Sequence, residues 1–163
     1  MNGINLTLRA LHHGERHLAK ELAVVAERHI TEHEIHHLAM DLVTWSNEAC
    51  VRLAETAGHY GLALDGPAHA STSGLMPAIR EKTAEAMDAR PEPGLLLLKD
   101  LRGIHLAAVG NSLYWEMLAQ AGQATKDTRL LDLASSCHPR TLRQMRWSNT
   151  MIKNLSPQVL TSL

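Results

Sequence analysis

Apolar residues recur every three or four positions along four long stretches of the chain, a spacing that predicts four amphipathic helices. The first and second stretches are joined by a short turn, as are the third and fourth, so each pair should be antiparallel. The intervening segment is rich in Gly, Pro, Ser and Thr, and Pro77 suits the first turn of a short helix within it. The sequence thus predicts one all-α domain, an antiparallel four-helix bundle with a long crossover between helices 2 and 3. The expected bounds are 4–29 (helix 1), 32–60 (helix 2), 61–94 (crossover, with a short helix at 77–89), 95–122 (helix 3) and 127–154 (helix 4), within a domain of residues 1–163.

Pro139 lies inside the fourth predicted helix. A proline there removes a backbone donor and crowds the preceding turn. We therefore expect a kink or a break of helix 4 near Cys137.

Polar residues interrupt the apolar stripes near the middle of each helix. Glu15 falls between Leu11 and Leu18 on the stripe of helix 1. Folding each hairpin about its turn places Glu15 opposite Ser46 and Asn111 opposite His138. The expected result is a polar layer across the bundle centre, with Ser112 and Cys137 close by.

Two interpretations of this layer stay open. A buried carboxylate without a partner costs several kcal/mol or takes up a proton, so Glu15 needs a hydrogen-bonded neighbour or a ligand. The layer is either a buried polar network that fixes the packing of the helices or a site for a small ligand. The candidate ligand-binding residues are Glu15, Ser46, Asn111, Ser112 and His138.

Two helix pairs joined by a long crossover, with a carboxylate and a histidine at mid-height, resemble the ferritin-like superfamily. That family's di-iron centre takes Glu from helices 1 and 3 and Glu-x-x-His from helices 2 and 4. Helix 2 offers Ser46-Asn47-Glu48-Ala49 instead, and helix 4 has no Glu three residues before His138. The resemblance therefore implies a degenerate di-iron motif, reduced to Glu15, Glu116 and His138. Short stretches that also resemble small uncharacterised ferritin-like proteins are Trp45-Ser46, Val51-Arg52-Leu53 and His59-Tyr60-Gly61.

Histidine is the one unusual count, since seven of the 11 lie between His12 and His37. A group of them surrounds the turn between helices 1 and 2, and a pair one helical turn apart can share zinc, copper or nickel. The same group also suits a histidine-rich capped turn or a pH-sensitive packing contact. The candidate metal ligands there are His29, His33, His36 and His37.

Composition limits the kinds of partner that this protein is expected to bind. A formal net charge of -1 gives no field that would attract nucleic acid or an anionic membrane. Cys50 and Cys137 have no metal-binding spacing, and no basic-then-apolar leader begins the chain, so we expect a cytoplasmic protein. The broad apolar circumference of helix 3 predicts a homodimer, and Arg140, Arg143 and Arg146 form either a solvated face or a contact for an acidic protein partner.

No arrangement of a nucleophile with a base emerges from the sequence, so no catalytic residue is expected. The favoured function is a non-enzymatic accessory or small-ligand-binding protein. The alternative is a metal-binding protein that holds iron or another transition metal at the bundle centre or in the histidine group.

Overall fold

A computed structural model describes residues 2–66 and 92–162. These residues form four α-helices packed as a bundle, with a long linker, residues 67–91, between the second and third. The short helix expected at 77–89 lies outside the described residues. The helices are α1 (Gly3–Arg28), α2 (His33–Gly58), α3 (Pro93–Thr125) and α4 (Thr128–Thr161).

Polar side chains begin three of the helices. The Asn2 side chain accepts a hydrogen bond from the backbone N–H of Asn5, and Asp127 accepts from the first turn of α4. At α3, Glu92 accepts from the N–H of Leu95, and Pro93 occupies the first helical position, where its missing N–H costs nothing.

Contacts between helix ends give the order of the bundle. Arg28, at the end of α1, binds Asp100 near the start of α3, and Tyr60, just past α2, binds Asp127 at the start of α4. The end of α2 and the start of α3 therefore lie at opposite ends of the bundle, and the helices run up, down, down and up. Each helix is antiparallel to both of its neighbours, in the cyclic order α1, α2, α4 and α3.

The sequence predicts a kink or a break near Cys137, and the break does not occur. Helix α4 continues through Pro139 and Pro157 and ends at Thr161, beyond the predicted bound of 154. The hydroxyl of Ser136 donates to the carbonyl of Asp132 in the turn before Pro139. Because α4 is continuous at Pro139, the residues after the proline continue the helical periodicity of the residues before it.

The apolar core is divided into two clusters. Leu11 belongs to the cluster near the α3–α4 turn, with Leu53, Trp115 and Leu130, while Leu18 belongs to the cluster near the α1–α2 turn. Glu15 lies between the two clusters, as the spacing of the apolar residues predicted. The buried polar residues of the chain interior include Glu15, Ser46, Asn111, Thr141, Gln144 and Ser148.

Candidate functional site: a polar layer beside the α2–α4 cleft

Glu15 is the centre of the polar layer, and it is 1 % exposed. Its Oε1 atom accepts a hydrogen bond from Trp115 Nε1 at 3.0 Å and a longer one from Thr141 Oγ1 at 3.4 Å. Burial raises the pKa of Glu15 to about 7, although hydrogen bonds from Trp115, Ser46 and Thr141 act to lower it. Near neutral pH the carboxyl group therefore exists both protonated, as a donor, and ionised, as an acceptor.

Gln144 extends the layer from α4 to α2. Its Nε2 atom donates to Ser46 Oγ at 2.9 Å and to the carbonyl of Leu42 at 3.2 Å. Ser46 Oγ accepts this bond, which leaves its own hydrogen free to point at Glu15. The network thus connects α1, α2, α3 and α4 through Glu15, Ser46, Trp115, Thr141 and Gln144.

His138 and Ser112 lie to one side of this network and bind one another. His138 Nε2 and Ser112 Oγ are 2.9 Å apart, and His138 Nδ1 lies 3.9 Å from a carboxylate oxygen of the exposed Glu116. The structure therefore brings Ser46 to Glu15 but places His138, Ser112 and Glu116 in a separate group between α3 and α4.

Asn111 is buried where α3 meets α1, and it packs against Gly14 rather than binding Glu15. A Cβ atom added to Gly14 would overlap the Asn111 Oδ1 atom. Within the described residues, Asn111 Nδ2 is buried without a hydrogen-bond partner. The absence of a side chain at Gly14 thus leaves room for the Asn111 side chain, and the Nδ2 group of Asn111 keeps a hydrogen-bond donor without an acceptor.

A cleft opens between α2 and α4, the most loosely packed of the four neighbouring helix pairs. Its volume is about 350 Å³, and it reaches Glu15, Thr141 and Gln144 at its inner end. This volume lies at the lower end of the range for small-molecule sites. Trp45, Ala49, Val51 and Cys137 provide apolar wall. Burial raises the pKa of Cys137 to about 11, so its thiol stays protonated near neutral pH.

Charged residues surround the mouth of the cleft. Arg140 pairs with Glu48, and its guanidinium lies 5.7 Å from the centroid of the Trp45 ring. Arg52 and Glu55 also line the mouth. Arg140 is thus bound within the chain, rather than standing free on the basic face that the sequence suggested.

The histidines at the α1–α2 turn do not point toward one another as a group. His29 Nε2 lies 2.7 Å from Asp100, which also receives two bonds from Arg28, and His36 Nδ1–H donates to the carbonyl of Ala26 at 2.6 Å. His33 and His37 are exposed, and the ring of His37 meets that of His36 edge to face. These contacts resemble those of a capped turn.

Over residues 2–66 and 92–162, no three His, Cys, Asp or Glu side chains converge closely enough to hold a metal ion. The side chains around Glu15 are hydrogen-bond donors, which suit a carboxylate and do not supply the further anionic or imidazole ligands of an iron site. The polar layer therefore does not fit a di-iron centre.

Sequence reasoning missed Trp115, Thr141 and Gln144 as members of the site. Trp115 lies on the apolar stripe of helix 3, but a buried indole N–H needs an acceptor, and Glu15 supplies it. Thr141 and Gln144 follow the expected break at Pro139. An unbroken helix would have placed them four and seven residues beyond Cys137, on one face of α4.

Fold and site together define an all-α four-helix bundle with a buried carboxyl group at the inner end of an open cleft. Comparisons with protein-family models, with curated proteins and with solved structures found no significant match to this chain. In the described part of the chain, no helix is long and apolar enough to cross a membrane.

Proposed function

We propose that this protein is a non-enzymatic, ferritin-like bundle that binds a small organic molecule in the α2–α4 cleft, with Glu15 as its polar anchor. One observation carries the proposal. A carboxyl group that is 1 % exposed, with a pKa of about 7, borders a cleft of about 350 Å³ rather than a closed apolar core. A purely structural network would be sealed by apolar packing on that side.

The order of the helices supports the ferritin-like part of the proposal. Ferritin-like bundles have one long crossover connection between two antiparallel pairs. The up, down, down, up order and the linker of residues 67–91 agree with that arrangement. This protein would be a ferritin-like bundle without a complete di-iron centre, because helices 2 and 3 have Ser46 and Asn111 at the positions where the family's centre needs carboxylates.

The cleft favours a ligand that combines an apolar body with a hydrogen-bonding end. Trp45 and Val51 offer apolar surface, while Glu15, Thr141 and Gln144 offer donors and acceptors at the inner end. An ammonium group would hold Glu15 in its ionised form, because an opposite charge nearby lowers a carboxyl pKa. We therefore expect an organic amine to bind more tightly than a neutral or anionic molecule of the same shape.

Three probes that differ in charge test this proposal: benzylamine, benzyl alcohol and benzoate. Calorimetry at pH 6 in buffers of different ionisation enthalpy should show that benzylamine binds most tightly and releases protons. The isosteric change Glu15→Gln should weaken benzylamine binding at least about tenfold, since a bond to a charged group is lost. Glu116→Gln, at an exposed site outside the cleft, is the matched control. Absence of binding by all three probes, or equal binding by Glu15→Gln, would contradict the proposal.

The alternative function is metal binding at Glu15, Glu116 and His138 or in the histidine group of the α1–α2 turn, although in the described residues no three such side chains converge. Elemental analysis of protein purified without a histidine tag separates the two functions. Near-stoichiometric iron, zinc, copper or nickel would favour the metalloprotein, whereas the ligand-binding proposal expects none.

We also propose that the protein forms a homodimer through the outer face of α3. Leu106, Leu113 and Met117 are more than half exposed along this face. Two copies paired antiparallel about the peptide between Val109 and Gly110 would place Leu106 against the second copy's Leu113. The same pairing sets Arg102 beside the second copy's Glu116, so apolar and charged positions are both self-complementary.

Mass measurement in solution tests the dimer. The wild type should be dimeric, Leu113→Glu monomeric, and Leu160→Glu, which changes an equally exposed leucine at the end of α4, should stay dimeric. Arg102→Glu should weaken the dimer, and adding Glu116→Arg should restore it. A monomeric wild type, or failure of this restoration, would count against the pairing.

A further inference from the structure

A second recess, which we call the α1 hollow, lies away from the cleft and carries a concentration of positive charge. It has a volume of about 360 Å³ and lies between α1 and the chain that follows α2. The lining residues from α1 that can carry positive charge are Arg9, His12, His13, Arg16, His17 and Lys20.

The helix places these residues together. Arg9, His13, Arg16 and Lys20 follow one another at intervals of four, three and four residues, which puts them on one face of α1. Such a row of like charges is unfavourable for an isolated helix.

The opposite wall of the hollow is held to α1 by a defined contact. Nε2 of the buried His12 donates a hydrogen bond to the backbone carbonyl of Asp65, which fixes the segment with Ala63 and Leu64 beside the basic face. The hollow is therefore built from two parts of the chain rather than from a single exposed helix surface.

Negative charge in the hollow is small. Among the described residues that line the hollow, Asp65 is the one carboxylate. It lies 3.8 Å from Arg16, and its side chain is 94 % exposed. An ion pair so exposed to water neutralises little charge. Within the described chain, Arg9 and Lys20 have no carboxylate partner, so the hollow has cationic donors in excess.

We propose that the α1 hollow binds the phosphate group of a small soluble molecule. Arginine guanidinium groups and a lysine ammonium are the side chains that recognise phosphate most effectively, the first by paired hydrogen bonds and the second by charge. The recess between α1 and residues 63–65 favours a small molecule over a membrane surface. The chain's net charge of -1 also supplies no extended basic surface for nucleic acid. This site is independent of the cleft and of the function proposed for it.

Calorimetric titration with inorganic phosphate and pyrophosphate at constant ionic strength tests the site. Arg16→Gln and Lys20→Gln should each raise the Kd about two- to fivefold, and their combination about tenfold. Asp65→Asn should lower the Kd about twofold, because it removes the competing carboxylate and keeps the backbone carbonyl that His12 binds. Arg143→Gln, at an exposed arginine on α4, should leave the Kd unchanged.

The proposal requires that the Kd for phosphate rises when Arg16 or Lys20 is replaced and falls when Asp65 is replaced. Equal weakening by Arg143→Gln and Arg16→Gln would mean that phosphate responds only to overall charge, and would overturn it. Binding to phosphatidic acid vesicles without binding to either soluble probe would also overturn it, since the ligand would then be a lipid surface.

Discussion

Two grooves on opposite sides of the bundle differ in the size of the side chains that form them. Four small residues, Ala10, Gly14, Ala107 and Gly110, line the α1–α3 groove beside larger ones such as Leu106 and Tyr114. The helices approach closely enough there for Gly14 to contact Asn111. The α2–α4 cleft is lined by large side chains, among them Trp45 and Arg140, and these two helices are the most loosely packed neighbours.

The two grooves also reach different buried polar groups. The groove between α1 and α3 ends at Asn111, whereas the α2–α4 cleft reaches Glu15. Small residues let two helices close over the interior, and large charged residues at the rim hold them apart. The carboxyl group of Glu15 is therefore reached from the α2–α4 side of the bundle and not from the α1–α3 side.

The largest expected effect concerns the proton on Glu15. Its pKa is raised from 4.5 to about 7 in the folded chain, so the folded state holds this proton more tightly than the unfolded state. This contribution to stability is complete below pH 4.5 and is lost as the pH rises to about 7. The unfolding free energy of the wild type, relative to Glu15→Gln, should fall by roughly 3 kcal/mol over that window. Urea unfolding of both proteins at a series of pH values measures the difference, and a constant difference would show that Glu15 is not desolvated.

The second prediction tests the close approach of α1 and α3. Gly14→Ala adds a methyl group that overlaps Asn111, whose side chain is buried, so unfolding should require about 2 kcal/mol less. Gly103→Ala is the control, because a Cβ atom there meets only a Glu21 oxygen at 4.0 Å and gains helix propensity. Thermal unfolding of the two variants should move in opposite directions. A neutral Gly14→Ala would mean that the interface can open without cost.

The smallest effect concerns the mouth of the cleft. Arg140 and Glu48 are both about half exposed, so Arg140→Ala should change the unfolding free energy by less than about 1 kcal/mol. Removing the guanidinium should nevertheless uncover Cys137, which lines the cleft, and not Cys50, which is fully buried. Alkylation by iodoacetamide, followed by mass spectrometry, should become faster at Cys137 alone. Equal acceleration at both cysteines would indicate general loosening of the fold.

Much of the layer could be predicted from helix 1 and helix 2. Glu15 interrupts a regular apolar stripe, and reflection about a short turn locates Ser46 opposite it, so burial and partner both follow from spacing. Helix α4 was harder, because its inward face after Pro139 is polar. Thr141, Gln144 and Ser148 are buried there, while Leu142 is exposed. The apolar residues of α4 therefore mark a side of the helix next to its buried face. For this reason the sequence pattern predicts His138, rather than Thr141 and Gln144, in the polar layer.

The α2–α4 cleft itself could not be predicted from periodicity. Apolar spacing shows which side of a helix faces inward, but not how far apart two neighbouring helices stand. That distance depends on how Trp45, Glu48 and Arg140 pack with one another, and this packing brings together residues from two distant parts of the sequence.

The donors that surround Glu15 also bear on how the chain assembles. Ser46 belongs to the first hairpin, whereas Trp115 and Thr141 belong to the second. Neither hairpin alone can supply the full set, so water must solvate this carboxyl group until the two halves dock. Docking is then the step at which the side chain exchanges water for protein partners, and a second hairpin paired out of register would leave it without them.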